Sequence, residues 1–103
     1  MGHLAATRLT APQRVVVWGA GRSGRPWIRW LLQQGHTVPV VVDLFCTTSR
    51  QGVPVVPPDA LSDVDLDLLV VAVGAAGARG EIRAMLKALR PDLVEGAGWI
   101  AVC

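Results

Sequence analysis

Gly19-Ala-Gly21-Arg-Ser-Gly24 directly follows the apolar run Val15-Val-Val-Trp18 and opens a stretch with helical apolar spacing. A G-x-G-x-x-G held between a strand and a helix constrains this chain more than any other segment. Each glycine answers a separate demand. Gly19 permits the tight turn out of the strand, Gly21 lets a phosphate approach the backbone with no Cβ in the way, and Gly24 lets the helix pack closely on the sheet. The N–H groups at the start of the helix then face an anion, aided by the helix dipole. Ala20, Arg22 and Ser23 complete the loop and join the three glycines as candidate ligand contacts.

The rest of the chain repeats this strand-then-helix alternation. Val-rich runs predict strands at 14–18, 37–43, 66–73 and 99–103, with a weaker piece at 53–56; such runs suit strands covered on both faces. The spacing Ile82, Met85, Leu86, Leu89 predicts a helix over 80–90, stopped by Pro91. An earlier helix is expected over 23–34, with Pro26 in its first turn and Gly35 as its left-handed stop. A short helical turn is expected after Pro58. Alternating strands and helices imply right-handed βαβ crossovers. The expected fold is α/β, a Rossmann-like three-layer sandwich with a five-stranded, mostly parallel sheet in the order 3-2-1-4-5. Pro39 cannot donate to a ladder, so it belongs near the start of the second strand or on a weakly paired side.

An acid at the end of the second strand is the other half of a dinucleotide fingerprint, and Asp43 stands there. It favours a ribose diol over a 2′-phosphate; the competing reading is a carboxylate that caps the following loop. A second glycine cluster, Gly74-Ala75-Ala-Gly77-Ala-Arg-Gly80, follows the fourth strand. In the expected strand order both glycine loops flank one crevice at the C-terminal strand ends. Gly74 and Ala75 are therefore added to the candidate contacts. Arg22, Arg25 and Arg79 border these loops and could clamp phosphates, or could be plain solvated cations. Catalytic groups are sparse. The chain has no Tyr, Ser23 has no His–Asp pair placed to activate it, and no cluster has metal-ligand spacing. His36 is expected to be a solvated turn residue at the end of the sheet away from the crevice. Asp63, Asp65 and Asp67 read as a polar connection.

At 103 residues, 51% of them hydrophobic and 17% charged, the chain fits one folded domain. We expect a flexible leader over 1–12 and one nucleotide-binding domain over 13–103, with no room for a substrate domain. No apolar stretch reaches the roughly 18 residues of a membrane span. Nine of the ten cations are Arg, spread along the chain, which argues against a nucleic-acid groove. Cys46 and Cys103 are far apart, and two free thiols in a reducing cytoplasm are expected. On a helical wheel Gly24, Ile28, Leu31, Leu32 and Gly35 share the sheet-facing arc, Trp27 lies at its edge and Trp30 beyond it. Trp30 either covers a neighbouring helix of the same domain or, the favoured reading, contacts a second copy or a partner domain.

Val17-Trp-Gly-Ala-Gly-Arg-Ser-Gly-Arg-Pro-Trp27, Val41-Val-Asp43, Gly52-Val-Pro-Val-Val-Pro57, Leu69-Val-Val-Ala-Val-Gly74 and Ala78-Arg-Gly-Glu-Ile82 occur in that order. Together they resemble the small Rossmann-like domain at the C-terminus of some bacterial family-2 glycosyltransferases. They are also similar to the N-terminal domain of sugar O-acyltransferases of the sialic-acid and bacillosamine type. The resemblance runs over residues 14–103. It implies that Gly19, Gly21, Gly24 and Asp43 line a nucleotide or sugar-nucleotide site, since in the acyltransferases this domain holds the nucleotide sugar while a β-helix domain performs transfer. The stretch Leu44-Phe-Cys-Thr-Thr-Ser-Arg50 departs from the Asp-Pro-Lys-like turn of those proteins. The expected function is a non-catalytic nucleotide-binding module, with NAD or a sugar nucleotide as ligand, acting with a larger enzyme. The alternatives are a ligand-free interaction domain, the cofactor half of an NAD-dependent oxidoreductase, and an S-adenosylmethionine-dependent methyltransferase.

Overall fold

A computed structural model describes residues 12–44, 49, 51–74 and 77–102. Five strands form one parallel sheet: β1 (Val15–Trp18), β2 (Val41–Val42), β3 (Val55–Val56), β4 (Leu68–Val71) and β5 (Trp99–Ala101). Their spatial order is β3-β2-β1-β4-β5, and every neighbouring pair is parallel. Helix α1 (Gly24–Gln33) links β1 to β2, a 3-10 helix (Pro58–Asp63) links β3 to β4, and α2 (Ala78–Leu89) links β4 to β5. This is the expected α/β Rossmann-like sandwich. No described helix is long and apolar enough to cross a membrane.

Two apolar layers hold the sandwich together, and strand alternation assigns residues to them. Val15 and Val17 of β1, with Leu68 and Val70 of β4, pack with Trp27, Ile28 and Leu31 of α1. Val16 and Trp18, with Leu69 and Val71, pack with Leu61 of the 3-10 helix and Ile82 and Leu86 of α2. Both faces of the sheet are therefore covered, which explains why β1 and β4 are apolar at every position. Burying each Leu, Ile or Val side chain contributes about 1.5–3 kcal/mol before entropy is counted.

Several elements are shorter or shifted. β2 was expected over 37–43 but holds only Val41–Val42. Thr37 bridges Arg14 by itself, and Pro39, with no N–H, lies in the unpaired stretch between that bridge and the strand. β4 starts at Leu68 because Asp67 turns outward, its carboxylate accepting the Arg14 N–H at 2.8 Å. α2 starts two residues early, at Ala78, because Gly77 takes the left-handed N-cap position.

Three side chains depart from expectation. Leu32 is 38% exposed, not sheet-facing. The buried stripe of α1 is Gly24, Trp27, Ile28 and Leu31, so the arc is centred toward Trp27 and Leu32 falls about a quarter turn from its centre. Gly35 is also exposed, and its φ of +86° makes it the helix stop. His36 is not solvated but only 6% exposed. Its Nδ1 accepts the Gln13 N–H at 3.1 Å, which ties the entry of β1 to the end of α1.

Candidate functional site

The C-terminal ends of β1, β2 and β4 meet at the point where the chain changes direction across the sheet. Open α/β sheets form their ligand crevices at such points. A crevice of about 180 Å³ lies here. It is lined by Gly19, Gly21, Arg22 and Ser23 from the first loop, Asp43 after β2, and Ala72, Val73 and Gly74 after β4. Its lining thus includes six of the nine sequence candidates. Ala20 and Gly24 shape the same loop from behind, and Ala75 lies outside the described residues.

The glycines serve different ends. Gly19 has φ +131°, and a Cβ there would stand 2.5 Å from the Ala72 carbonyl oxygen at the end of β4. Gly24 has even less room: a Cβ would come 1.7 Å from the Gly19 carbonyl oxygen. The close approach that Gly24 permits is therefore to the loop's own first peptide, not to the sheet. Gly21 is the opposite case, since a Cβ there meets nothing within 4 Å. Its bare backbone faces open space on the crevice side.

Backbone donors collect at this loop. Gly19 N–H donates to the Val42 carbonyl at 2.8 Å, and Arg25 N–H to the Gly21 carbonyl at 3.0 Å. Among the described residues no acceptor takes the N–H groups of Gly21, Arg22, Ser23 or Gly24. The first turn of α1 holds no acidic side chain, and Ser23 makes no cap bond to it. Its hydroxyl instead lies beside Gly74, 3.5 Å from where a Cβ would be. Ser23 and Gly74 thus bring the two loops together.

Asp43 does something the sequence does not announce. Its Oδ2 accepts the Ala20 N–H at 2.9 Å, from across the crevice. The Arg25 Nε donates to the Ala20 carbonyl at 3.3 Å. The Ala20 peptide groups are therefore gripped from both sides, by an acid on one element and a guanidinium on another. Asp43 thus braces the glycine loop that precedes α1; the competing expectation, a cap on the loop that follows it, concerns residues 45–48, which lie outside the described residues.

The three arginines separate. Arg22 lines the crevice. Arg25 braces the loop and is not part of the lining. Arg79 stands in the first turn of α2 and lies within electrostatic reach of Glu95, outside the crevice. Two of the three aspartates before β4 find a partner: Arg14 pairs with Asp65 and Asp67 at the opposite, N-terminal end of the strands.

No protein-family model matches this chain, and no curated protein matches it in sequence.

Proposed function

We propose that this protein is a nucleotide-binding module whose phosphate-bearing ligand sits over the Gly19–Gly24 loop, with Asp43 at its sugar. One observation carries the reading: a single crevice gathers the first glycine loop, the acid after β2 and the Gly74 loop. The N–H groups at the start of α1, which have no acceptor among the described residues, and the Arg22 side chain supply donors for a phosphate. Asp43 supplies acceptors for ribose hydroxyls. The charged side chains lining the crevice, among the described residues, are Arg22 and Asp43; this is a set that holds and orients a ligand. The resemblance to the domains of family-2 glycosyltransferases and sugar O-acyltransferases supports a sugar nucleotide first and NAD second.

Size sharpens the expectation. Sites that enclose a drug-sized ligand measure about 300–1,000 Å³, and this crevice is about 180 Å³. It accommodates the phosphate and ribose, and the remainder of the ligand lies across the surface. Affinity should therefore come mainly from the phosphate end.

Thermal unfolding in the presence of UDP-sugars, NAD, NADP, coenzyme A and S-adenosylmethionine tests the reading. A ligand at 100 times its Kd adds about 2.7 kcal/mol of stability. Because Gly21 has open space above it, Gly21→Val should remove the shift without unfolding the protein. If no ligand raises Tm, the interaction-domain alternative replaces this reading. A shift that survives Gly21→Val would place the ligand elsewhere.

A further inference from the structure

A second concavity shares no residue with the crevice and has about twice its volume, about 370 Å³ against about 180 Å³. It lies between α2 and the segment that leads into β5. Its apolar lining is Leu86, Pro91, Leu93, Val94 and Trp99. Leu86 and Trp99 belong to the buried core, whereas Val94 is 62% exposed, the most exposed of the large apolar side chains among the described residues. Core packing does not account for Val94.

Three charged side chains complete the lining: Arg83, Lys87 and Glu95. Two of them satisfy each other. Arg83 donates to both Glu95 carboxylate oxygens, at 2.9 and 3.0 Å, and its guanidinium lies 5.9 Å from the centroid of the Trp99 ring. Lys87 makes no ion pair among the described residues. Arg79, Arg83 and Lys87 fall four residues apart and share one face of α2. Of the three charged side chains that line the groove two are cationic and one anionic, so its lining carries a net positive formal charge.

We infer that this groove binds a small amphiphilic anion, an apolar body carrying one carboxylate, with the body against Leu93 and Val94 and the charge at Lys87. The volume falls in the range of small-molecule sites, about 300–1,000 Å³. A protein partner fits less well. A stable interface engages about 20–30 residues a side, and eight residues line this groove. The inference is independent of the nucleotide reading, because the two sites have no residue in common.

The test is a ¹⁵N NMR titration of the whole chain with octanoate and, separately, with 1-octanol. Octanoate should produce saturable shifts at Lys87, Val94 and Gly96, with Gly21 and Ser23 unmoved. Octanol, lacking the charge, should bind about fivefold more weakly, the size of one solvent-exposed ion pair. Lys87→Gln should erase that preference while leaving octanol binding unchanged. Val94→Asp should weaken both ligands and octanoate more. Lys87 and Val94 are exposed, so neither variant threatens the fold. Non-saturating shifts, equal binding of the two ligands by the unaltered protein, or a preference that persists in Lys87→Gln would each overturn the inference.

Discussion

At the residue scale, the glycine loop separates folding from binding within six positions. Gly24→Ala forces a Cβ onto the Gly19 carbonyl, so the backbone must move. A cost of about 2–4 kcal/mol is expected, among the larger effects of single substitutions. Gly21→Ala meets nothing and should stay within about 0.5 kcal/mol of the parent. Chemical denaturation of the two variants checks this directly; equal losses would mean that the loop geometry differs from the one described. Asp43 is a harder residue, because it acts on the loop whether or not a ligand is present. Asp43→Ala should cost about 1–3 kcal/mol by leaving the Ala20 N–H without its acceptor. Asp43→Asn, which keeps an acceptor oxygen, should recover most of that stability. If ribose is held by Asp43, Asn will still lower nucleotide affinity, and the two variants will then rank differently in stability and in binding. The sequence marks Asp43 by its place after β2. The Ala20 bond could not be read from it, since that bond joins residues 23 apart across two strands.

At the element scale, α1 shows how far a periodicity can be trusted. Its apolar positions announce a helix that buries one face, and it does. The direction of that face depends on what it packs against. Trp27 is large enough to reach the sheet from the edge of the arc and draws the buried stripe toward itself, leaving Leu32 outside. Leu31→Ala should therefore cost about 2–5 kcal/mol as a core truncation, and Leu32→Ala less than about 0.5 kcal/mol as a surface change. Urea unfolding midpoints would fall by similar amounts for both variants if the arc read from the wheel were the buried one, since that arc holds Leu31 and Leu32 alike. Trp30 follows the same logic. Its ring meets Trp27 edge-on, with centroids 5.9 Å apart and planes at 76°, and it packs on the α1 side of the core. A Trp30 that met only a second copy or a partner domain would let Trp30→Ala leave folding nearly intact. With this contact it should instead cost about 1–2 kcal/mol, the aromatic pair plus part of the ring's burial. A Tm equal to that of the parent would return Trp30 to a purely external role. His36 is a similar case. A turn position between Gly35 and Thr37 looks solvated in sequence, and only the return of the chain past Gln13 buries it.

At the scale of the whole molecule, three arginines pair with acids, two of them across separate segments, and make stability depend on acidity. Hydrogen bonds from Arg14 hold the Asp67 carboxyl below the usual carboxylate range, as those from Arg90 hold Asp92 and those from Arg83 hold Glu95. Such groups bind protons more readily when unfolded. Their contribution is complete above the unfolded values, about 3.9 for Asp and 4.3 for Glu. It is lost as pH falls through the lower, folded values. Urea midpoints should therefore hold steady from neutral pH to about 5 and decline below about 4. Added salt should shrink the decline, because the Arg14–Asp67 and Arg83–Glu95 pairs are open to solvent. Arg14→Gln should flatten part of the acid limb; an unaltered limb would mean that the Asp67 pair contributes nothing. Much of this molecule is determined by local pattern alone. Val-rich runs, glycine positions and helical spacing are properties of neighbouring residues, so the strand order, the crevice loop and the acid beside it follow from them. What only the tertiary structure decided are relations between distant residues: the Arg14 and Arg83 pairs, the grip on Ala20, the tilt of α1, the burial of His36 and the groove beside Trp99. Each depends on which surfaces the packed layers bring within a few ångströms, and one-dimensional spacing carries no record of that distance.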